Sequence, residues 1–198
     1  MLKKVQIVHA EDHLINDEGE IVRLSPSVAG EKIDELWWKG IPQHIVEGEG
    51  DSHWIWEKIA MDFTSKLLYD CVALVSPGGG YAEGAIAYRF DAKSFLEPTR
   101  GCLYIGWFAS APRNRKWVVD KPRYAGIGTV LFEWALVESY NNGLEGRISL
   151  ESLPTENTIK FYEHKGFIKT GAPVSERGLV SYELPLKAAE KWLEQLGE

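Results

Sequence analysis

The chain has 198 residues, enough for one domain with a sizeable core and too few for two comfortable ones. Its 44% apolar and 26% charged content are those of a globular protein, and the net charge of −7 speaks against nucleic acid as a bulk partner. The two cysteines, Cys71 and Cys102, sit in apolar runs and read as core thiols, which suits a reducing compartment. The opening Met-Leu-Lys-Lys lacks the apolar stretch of a signal peptide, and no run approaches the ~20 residues of a membrane span, so a cytoplasmic protein without a membrane partner is expected. The five histidines are scattered and no Cys, His and carboxylate cluster has ligand spacing, so no metal is expected.

Residues 3–9 and 20–24 are β-leaning, and the polar Asn16-Asp17-Glu18-Gly19 between them predicts a hairpin turn. Ser25-Pro26-Ser27 breaks the pattern, and a short helix is predicted over 31–39, ended by Gly40 and Pro42. A stronger helix is predicted over 52–68, where Trp56, Ile59, Phe63 and Leu67 share one face and Asp51 or Ser52 serves as N-cap. Residues 71–75 and 83–90 read as strands joined by Pro77-Gly78-Gly79-Gly80. In the next strand, 102–109, Leu103, Ile105 and Trp107 face one way and Tyr104 and Phe108 the other, the pattern of a central, covered strand. A segment at 111–122 follows, and its Arg113, Arg115, Lys116 and Lys121 form a basic run with Arg123.

Arg123-Tyr124-Ala125-Gly126-Ile127-Gly128-Thr129 lies between this strand and a helix predicted to reach about Tyr140. Glycines let the backbone approach a ligand, and the first amides of a helix are unpaired donors at its positive end. The combination makes a phosphate or pyrophosphate site, with Arg123 as a second source of positive charge. On its own the pattern also fits a plain tight turn. The helix is expected to bury Val130, Leu131, Trp134 and Val137 and to stop at Asn141-Asn142-Gly143. A strand at 147–153, a helix at 155–165 closed by Gly166, strands at 168–170 and 179–184, and a tail helix at 187–196 complete an α/β domain with a mixed sheet.

Arg-x-x-Gly-x-Gly (Arg123, Gly126, Gly128) resembles the acyl-CoA pyrophosphate loop of the GNAT superfamily of N-acyltransferases. Phe161-Tyr162-Glu163-His164-Lys165-Gly166-Phe167 is similar to that superfamily's second signature, a Tyr-bearing helix ending in Gly-Phe. The resemblance covers residues 70–185 well and the N-terminal third by general layout. It implies a single GNAT-like domain over 1–198, with a central mixed, mostly antiparallel sheet flanked by helices and an insertion of roughly ten residues at 113–122. It also implies an acetyl-CoA-dependent N-acetyltransferase whose acceptor is a primary amine on a small molecule, peptide or protein, attacked directly in a ternary complex. Nucleic acid is not expected, and a homodimer is admitted. CoA contacts are implied for Phe108, Ala109 and Ser110, for Arg123, Tyr124, Ala125, Gly126, Ile127, Gly128 and Thr129, and for Asn157 and Tyr162.

The chemistry requires a group to take a proton from an amine of pKa ~10.4 and another to return one to a thiolate whose conjugate acid has pKa ~8.5. By the resemblance Tyr162 is the general acid, and backbone amides near Phe108–Ser110 meet the oxyanion. The superfamily's strand Glu has no counterpart in 102–109. Glu151 is taken as general base, with Glu83 or a water relay as substitutes, and a plain surface or ion-paired role is the competing reading for either acid. Where the superfamily has Asn seven residues before the Tyr, this chain has Thr155; Asn157 contacts the pantetheine arm or caps the helix. His164 is expected in solvent. Trp37, Trp38, Trp54 and Trp56 line an acceptor pocket or form core, and Trp117 covers the adenine or packs on a partner subunit. Two other functions stay open: a non-catalytic acyl-CoA sensor, and an acyltransferase acting on an RNA-linked amine through the basic run.

Overall fold

The computed structural model describes residues 2–66 and 69–197, with backbone alone for 62–66. The strands are β1 (Lys3–His9), β2 (Asn16–Arg23), β3 (Asp70–Val75), β4 (Ala82–Lys93), β5 (Gly101–Ser110), β6 (Tyr124–Ala125), β7 (Ile148–Ser152), β8 (Ile168–Lys169) and β9 (Val180–Leu184). The α-helices are α1 (Pro26–Ala29), α2 (Gln43–Val46), α3 (Trp56–Lys66), α4 (Ile127–Ser139), α5 (Glu156–Lys165) and α6 (Leu186–Leu196). The strands form one mixed sheet in the order β6-β1-β2-β3-β4-β5-β7-β9-β8. β5 and β7 run parallel, while β1/β2, β2/β3, β1/β6, β7/β9 and β8/β9 are antiparallel. The chain divides into two compact units, Met1–Ala87 with Trp107–Phe132 and Tyr88–Gly106 with Glu133–Glu198.

In the first unit the residues predicted as a turn, Asn16-Asp17-Glu18-Gly19, are strand, paired with Val8, Ile7, Gln6 and Val5. Gly19 belongs there because a Cβ on it would stand 3.0 Å from the Val75 carbonyl of the neighbouring strand β3, a fit that overrides the low β-propensity of Gly. Ser25-Pro26 does not break structure but opens α1, with the Ser25 hydroxyl accepting from Val28 N–H and Pro26 in the first turn. The predicted helix at 31–39 is replaced by a π-helical turn, Gly30–Asp34, and following turns. Trp37 and Trp56 are buried against the small side chains of Ala73, Ala82, Ala85 and Ala87, which leave room for indoles over the sheet. Trp37 Nε1 donates to the Ala82 carbonyl at 2.8 Å, so its buried polar atom is satisfied.

The N-cap of α3 is neither Asp51 nor Ser52. Both carboxylate oxygens of Asp34 accept from its first amides, Trp56 N–H and Glu57 N–H, each at 2.8 Å. A negative group at a helix N-terminus satisfies orphan donors and meets the dipole. Phe63 and Leu67 of the predicted apolar face lie outside the described side chains.

In the second unit β7 is flanked by β5, in parallel register Leu103↔Ile148 to Ile105↔Leu150, and by β9. α5 begins at Thr155, whose hydroxyl accepts from Thr158 N–H, and ends at Gly166 with φ +89°. α4 begins in the first unit and continues into the second after Phe132; Leu131, Phe132, Ala135 and Leu136 are buried, whereas Val130, Trp134 and Val137 are half-buried. The inward face of α4 is thus rotated from the predicted one, and Trp134 at its margin donates to the Tyr88 hydroxyl at 3.1 Å. Among the described residues no helix is long and apolar enough to cross a membrane. Replacing Asp34 by Ala strips the cap from α3 and is expected to cost about 1–2 kcal/mol, read as a lower midpoint with unchanged slope in urea unfolding.

Candidate functional site

The glycine loop is held on its upstream side by main-chain bonds. β6 pairs with β1 through Val8↔Ala125 and His9↔Tyr124, and Ala10 N–H donates to the Arg123 carbonyl at 3.0 Å. Arg123 N–H donates to the Arg113 carbonyl and Tyr124 N–H to Asn114 Oδ1, at 3.1 and 3.0 Å. The Tyr124 side chain is buried; its hydroxyl donates to Asp17 at 2.5 Å and its ring meets His9 edge-on. That hydroxyl bond, followed by the His9 contact, holds the Asp17 carboxyl below its ordinary pKa although burial works the other way. Tyr124 therefore presents main chain, not side chain, to the loop.

Gly126 has φ +74°, and no atom lies within 4 Å of where its Cβ would be. The glycine is required by the left-handed backbone, and the space above it is open. α4 starts at once: Val130 N–H closes onto the Gly126 carbonyl at 3.1 Å, so the amides of Ile127, Gly128 and Thr129 precede the first intrahelical bond. Arg123 is exposed, its guanidinium 5.1 Å from the Tyr124 ring centre. The start of α4 comes this close to the sheet because β4 carries Gly84. A Cβ there would fall 2.7 Å from Ile127 Cγ2, 2.8 Å from Leu131 Cδ1 and 3.1 Å from the Ala109 carbonyl. Gly84 thus brings the helix start and the Phe108–Ser110 end of β5 together. An isolated Gly inside a strand pattern is the sequence signal for such an approach.

The segment at 113–122 is not a free basic patch. Arg113 makes a bidentate pair with Glu83, with Nε at 3.0 Å, and its guanidinium lies 3.3 Å from the Tyr81 ring centre. Glu83 is 0% exposed and also accepts from Asn114 Nδ2 at 2.9 Å, so the second candidate base is committed to an internal ion pair. Arg115, 5% exposed, donates to the Ser110 carbonyl through Nε and Nη2 at 2.9 and 2.6 Å and to Glu49 and Asp51 at 2.7 Å each. Burial opposes its charge, but the hydrogen bonds and charges of Asp51 and Glu49 prevail and its pKa lies above the ordinary value. Lys116, Lys121 and Arg123 remain exposed. Trp117 is half exposed and donates to Glu49 at 3.0 Å. Trp37 and Trp56 belong to the core and Trp38 and Trp54 pack against it, and all four line, with Asp34 and His53, a recess of about 210 Å³.

The second unit carries the other candidates. Tyr162 is 8% exposed, with ring centres 5.5 Å from Phe167 and 5.7 Å from Tyr182. Burial pushes its hydroxyl far above the ordinary tyrosine pKa, against the pull of a hydrogen bond with Ser152. His164 is exposed, and so is Asn157, the cap of α5 being Thr155. Glu151 is exposed and accepts from Tyr104 and Ser181 hydroxyls at 3.4 and 3.5 Å. Strand alternation sets Glu151 on the opposite face of β7 from Ser152 and Tyr162. Glu151 faces a cleft of about 610 Å³ on that side.

No protein-family model matches this sequence, and no curated protein matches it. Solved structures do. FeeM, an N-acyl amino acid synthase from uncultured soil microbes, aligns with TM-score 0.58 at 15% identity over 91% of this chain and 99% of its own. AtaTR bound with acetyl-CoA aligns with TM-score 0.57 at 16% identity, over 88% and 97%. A candidate GNAT-family acetyltransferase from Desulfovibrio desulfuricans gives TM-score 0.57 at 14% identity, over 85% and 99%. The chain has the GNAT fold. Within that fold the Gly126 turn opens α4, and Tyr162 lies on the helix that ends at Gly166. Replacing Arg115 by Ala would leave Glu49 and Asp51 without their shared cation; the expected loss is about 3–5 kcal/mol in urea unfolding, against near-neutrality for the exposed Lys116→Ala.

Proposed function

We propose that the protein is an N-acetyltransferase that moves an acetyl group from acetyl-CoA to a primary amine by direct attack. The observation that carries this reading is the open space over Gly126 beside the free first-turn amides of α4 and the exposed Arg123. Three converging N–H groups, a helix dipole and a guanidinium suit a pyrophosphate and little else of that size. Acetyl-CoA bound to the similarly folded AtaTR supports the choice of cosubstrate.

In this reading Arg123, Tyr124, Ala125, Gly126, Ile127, Gly128 and Thr129 hold the pyrophosphate, the last three through their amides. Phe108, Ala109 and Ser110 offer main chain to the pantetheine arm and the thioester oxygen, held in place by the Arg115 bonds to Ser110. Asn157 contacts the arm from the start of α5. Glu151 accepts the proton of the attacking amine, and Tyr162 returns one to the departing sulfur. In this addition–elimination the amine nitrogen bonds to the acyl carbon, a tetrahedral intermediate forms, and the C–S bond breaks as the thiolate leaves; because Glu151 and Tyr162 lie on opposite faces of β7, the amine's proton reaches Glu151 through water. Tyr162 stays protonated across the neutral range because burial raises its pKa, so it is a donor at any working pH.

A non-catalytic acyl-CoA sensor is the second reading, favoured by the sequestration of Glu83 in its ion pair with Arg113. Thiol release from acetyl-CoA across an amine panel separates the two, since a sensor binds tightly and releases none. Calorimetric titration with acetyl-CoA, CoA and 3′-dephospho-CoA tests the cradle. Micromolar binding is expected, and Gly126→Trp abolishes it while far-UV circular dichroism is retained; undiminished affinity in that variant overturns the pyrophosphate assignment. Tyr162→Phe is expected to lower kcat by ~10²-fold or more with an unchanged Kd for CoA. An unchanged kcat removes Tyr162 from the chemistry.

A further inference from the structure

We infer that the cleft on the polar face of the second unit's sheet receives the acceptor, and that this acceptor is a primary amine carrying a carboxylate of its own: an α-amino acid with an apolar side chain. The inference deepens the acetyltransferase reading above and rests on it for the chemistry, though not for the binding.

The cleft, about 610 Å³, is lined among others by Arg89, Asp91, Lys93, Phe95, Tyr104 and Glu151. Pockets of this size take small organic ligands. Alternation along β7 sends Ser149 and Glu151 into it and turns Leu150 and Ser152 away. Glu151 has two long hydroxyl contacts and no ion pair among the described residues, so its charge is available to an ammonium group. The Arg89 guanidinium lies 5.1 Å from the centre of the Tyr104 ring, and the hydroxyl at the end of that same ring is 3.4 Å from Glu151. One aromatic ring thereby separates a positive from a negative end. Lys93 adds a second exposed cation, while Asp91, 3.4 Å from Arg89, offsets only part of the positive charge.

That arrangement is the reverse of an amino acid's own dipole. A simple alkylamine would engage Glu151 and leave the Arg89 and Lys93 end unmatched, and a polyamine would meet repulsion there. The remaining wall is apolar: Phe95 is 54% exposed and is joined by Ala92 and Pro98. The backbone that carries Phe95 is tied down, because the buried Glu183 carboxylate accepts from Phe95 N–H at 2.7 Å, from Leu96 N–H at 3.4 Å and from the Ser94 hydroxyl. An apolar wall beside two opposed charges suits the side chain of phenylalanine or leucine.

Matched pairs test it. Thiol release from acetyl-CoA is measured with L-phenylalanine against 2-phenylethylamine, L-leucine against isoamylamine, and spermidine as polycation. The amino acid of each pair is expected to show at least about a tenfold higher kcat/KM, and Lys93→Glu is expected to erase that difference. Equal or better turnover of the plain amines or of spermidine overturns the inference. A second readout needs no turnover: calorimetric binding of L-phenylalanine to the CoA-saturated protein is expected to weaken in Lys93→Glu and in Glu151→Gln. Binding of L-phenylalanine without binding of acetyl-CoA would sink the acetyltransferase reading and keep the cleft assignment. Binding of acetyl-CoA without selective binding of the amino acid would do the opposite.

Discussion

The first unit depends on a carboxylate that has no contact with water. Glu83, in the strand Ala82–Lys93, is wholly buried, and a bare charge there would be costly. Its oxygens are met by the Arg113 fork and by Asn114 Nδ2, while its own carbonyl accepts from Ala111 N–H at 2.7 Å. The same two partners hold the glycine loop, Arg113 through its carbonyl and Asn114 through its side-chain oxygen. The next residue, Gly84, is the absence of a side chain that lets the helix start descend onto the sheet. Two adjacent positions thus set both the anchoring of the loop and the depth of the helix that follows it. A second buried cation, Arg115, fixes the neighbouring strand end in the same manner.

What the sequence made legible was local. The turn at Gly126, the helix after it, the cap at Gly166 and the Tyr-bearing helix rest on spacings of a few residues, and all of these elements are present. The central strand was read as covered on both faces; Cys102, Leu103 and Ile105 are buried, whereas Tyr104, Trp107 and Phe108 are half-buried and Tyr104 lines a cleft. The misplaced features depend on partners far along the chain. Asp34 caps a helix 22 residues away, and Arg115 meets Glu49 across 66 positions. Local propensity made Asn16–Gly19 a turn, but pairing with Val5–Val8 of the first strand decided otherwise. The run of positive charge was visible, while its consumption by buried acids was not, because no periodicity marks which carboxylate an arginine will find.

The candidate catalytic groups divide in the same way. Tyr162 was found from the residues around it, and its burial against Phe167 and Tyr182 follows from the Gly-Phe that ends its helix. Glu151 was chosen by elimination, and only the register of Ile148–Ser152 with Val180–Leu184 reveals which face it takes. In the proposed reaction that face is the amine's, which turns a strand's twofold alternation into a division of labour between proton acceptor and proton donor.

The pairing of Lys3–His9 with Tyr124–Ala125 has a consequence for biogenesis. The strand Lys3–His9 leaves the ribosome before Tyr124–Ala125, so Val8 and His9 on its outer edge find these partners only after the intervening residues have been made. At ordinary translation speeds that interval is on the order of ten seconds. Throughout it, a row of main-chain donors and acceptors is open to any extended peptide nearby. The loop that would bind the cosubstrate therefore also arrives late to close the Val8–His9 end of an open strand edge, and a nascent chain stalled before it would be a natural client for chaperones.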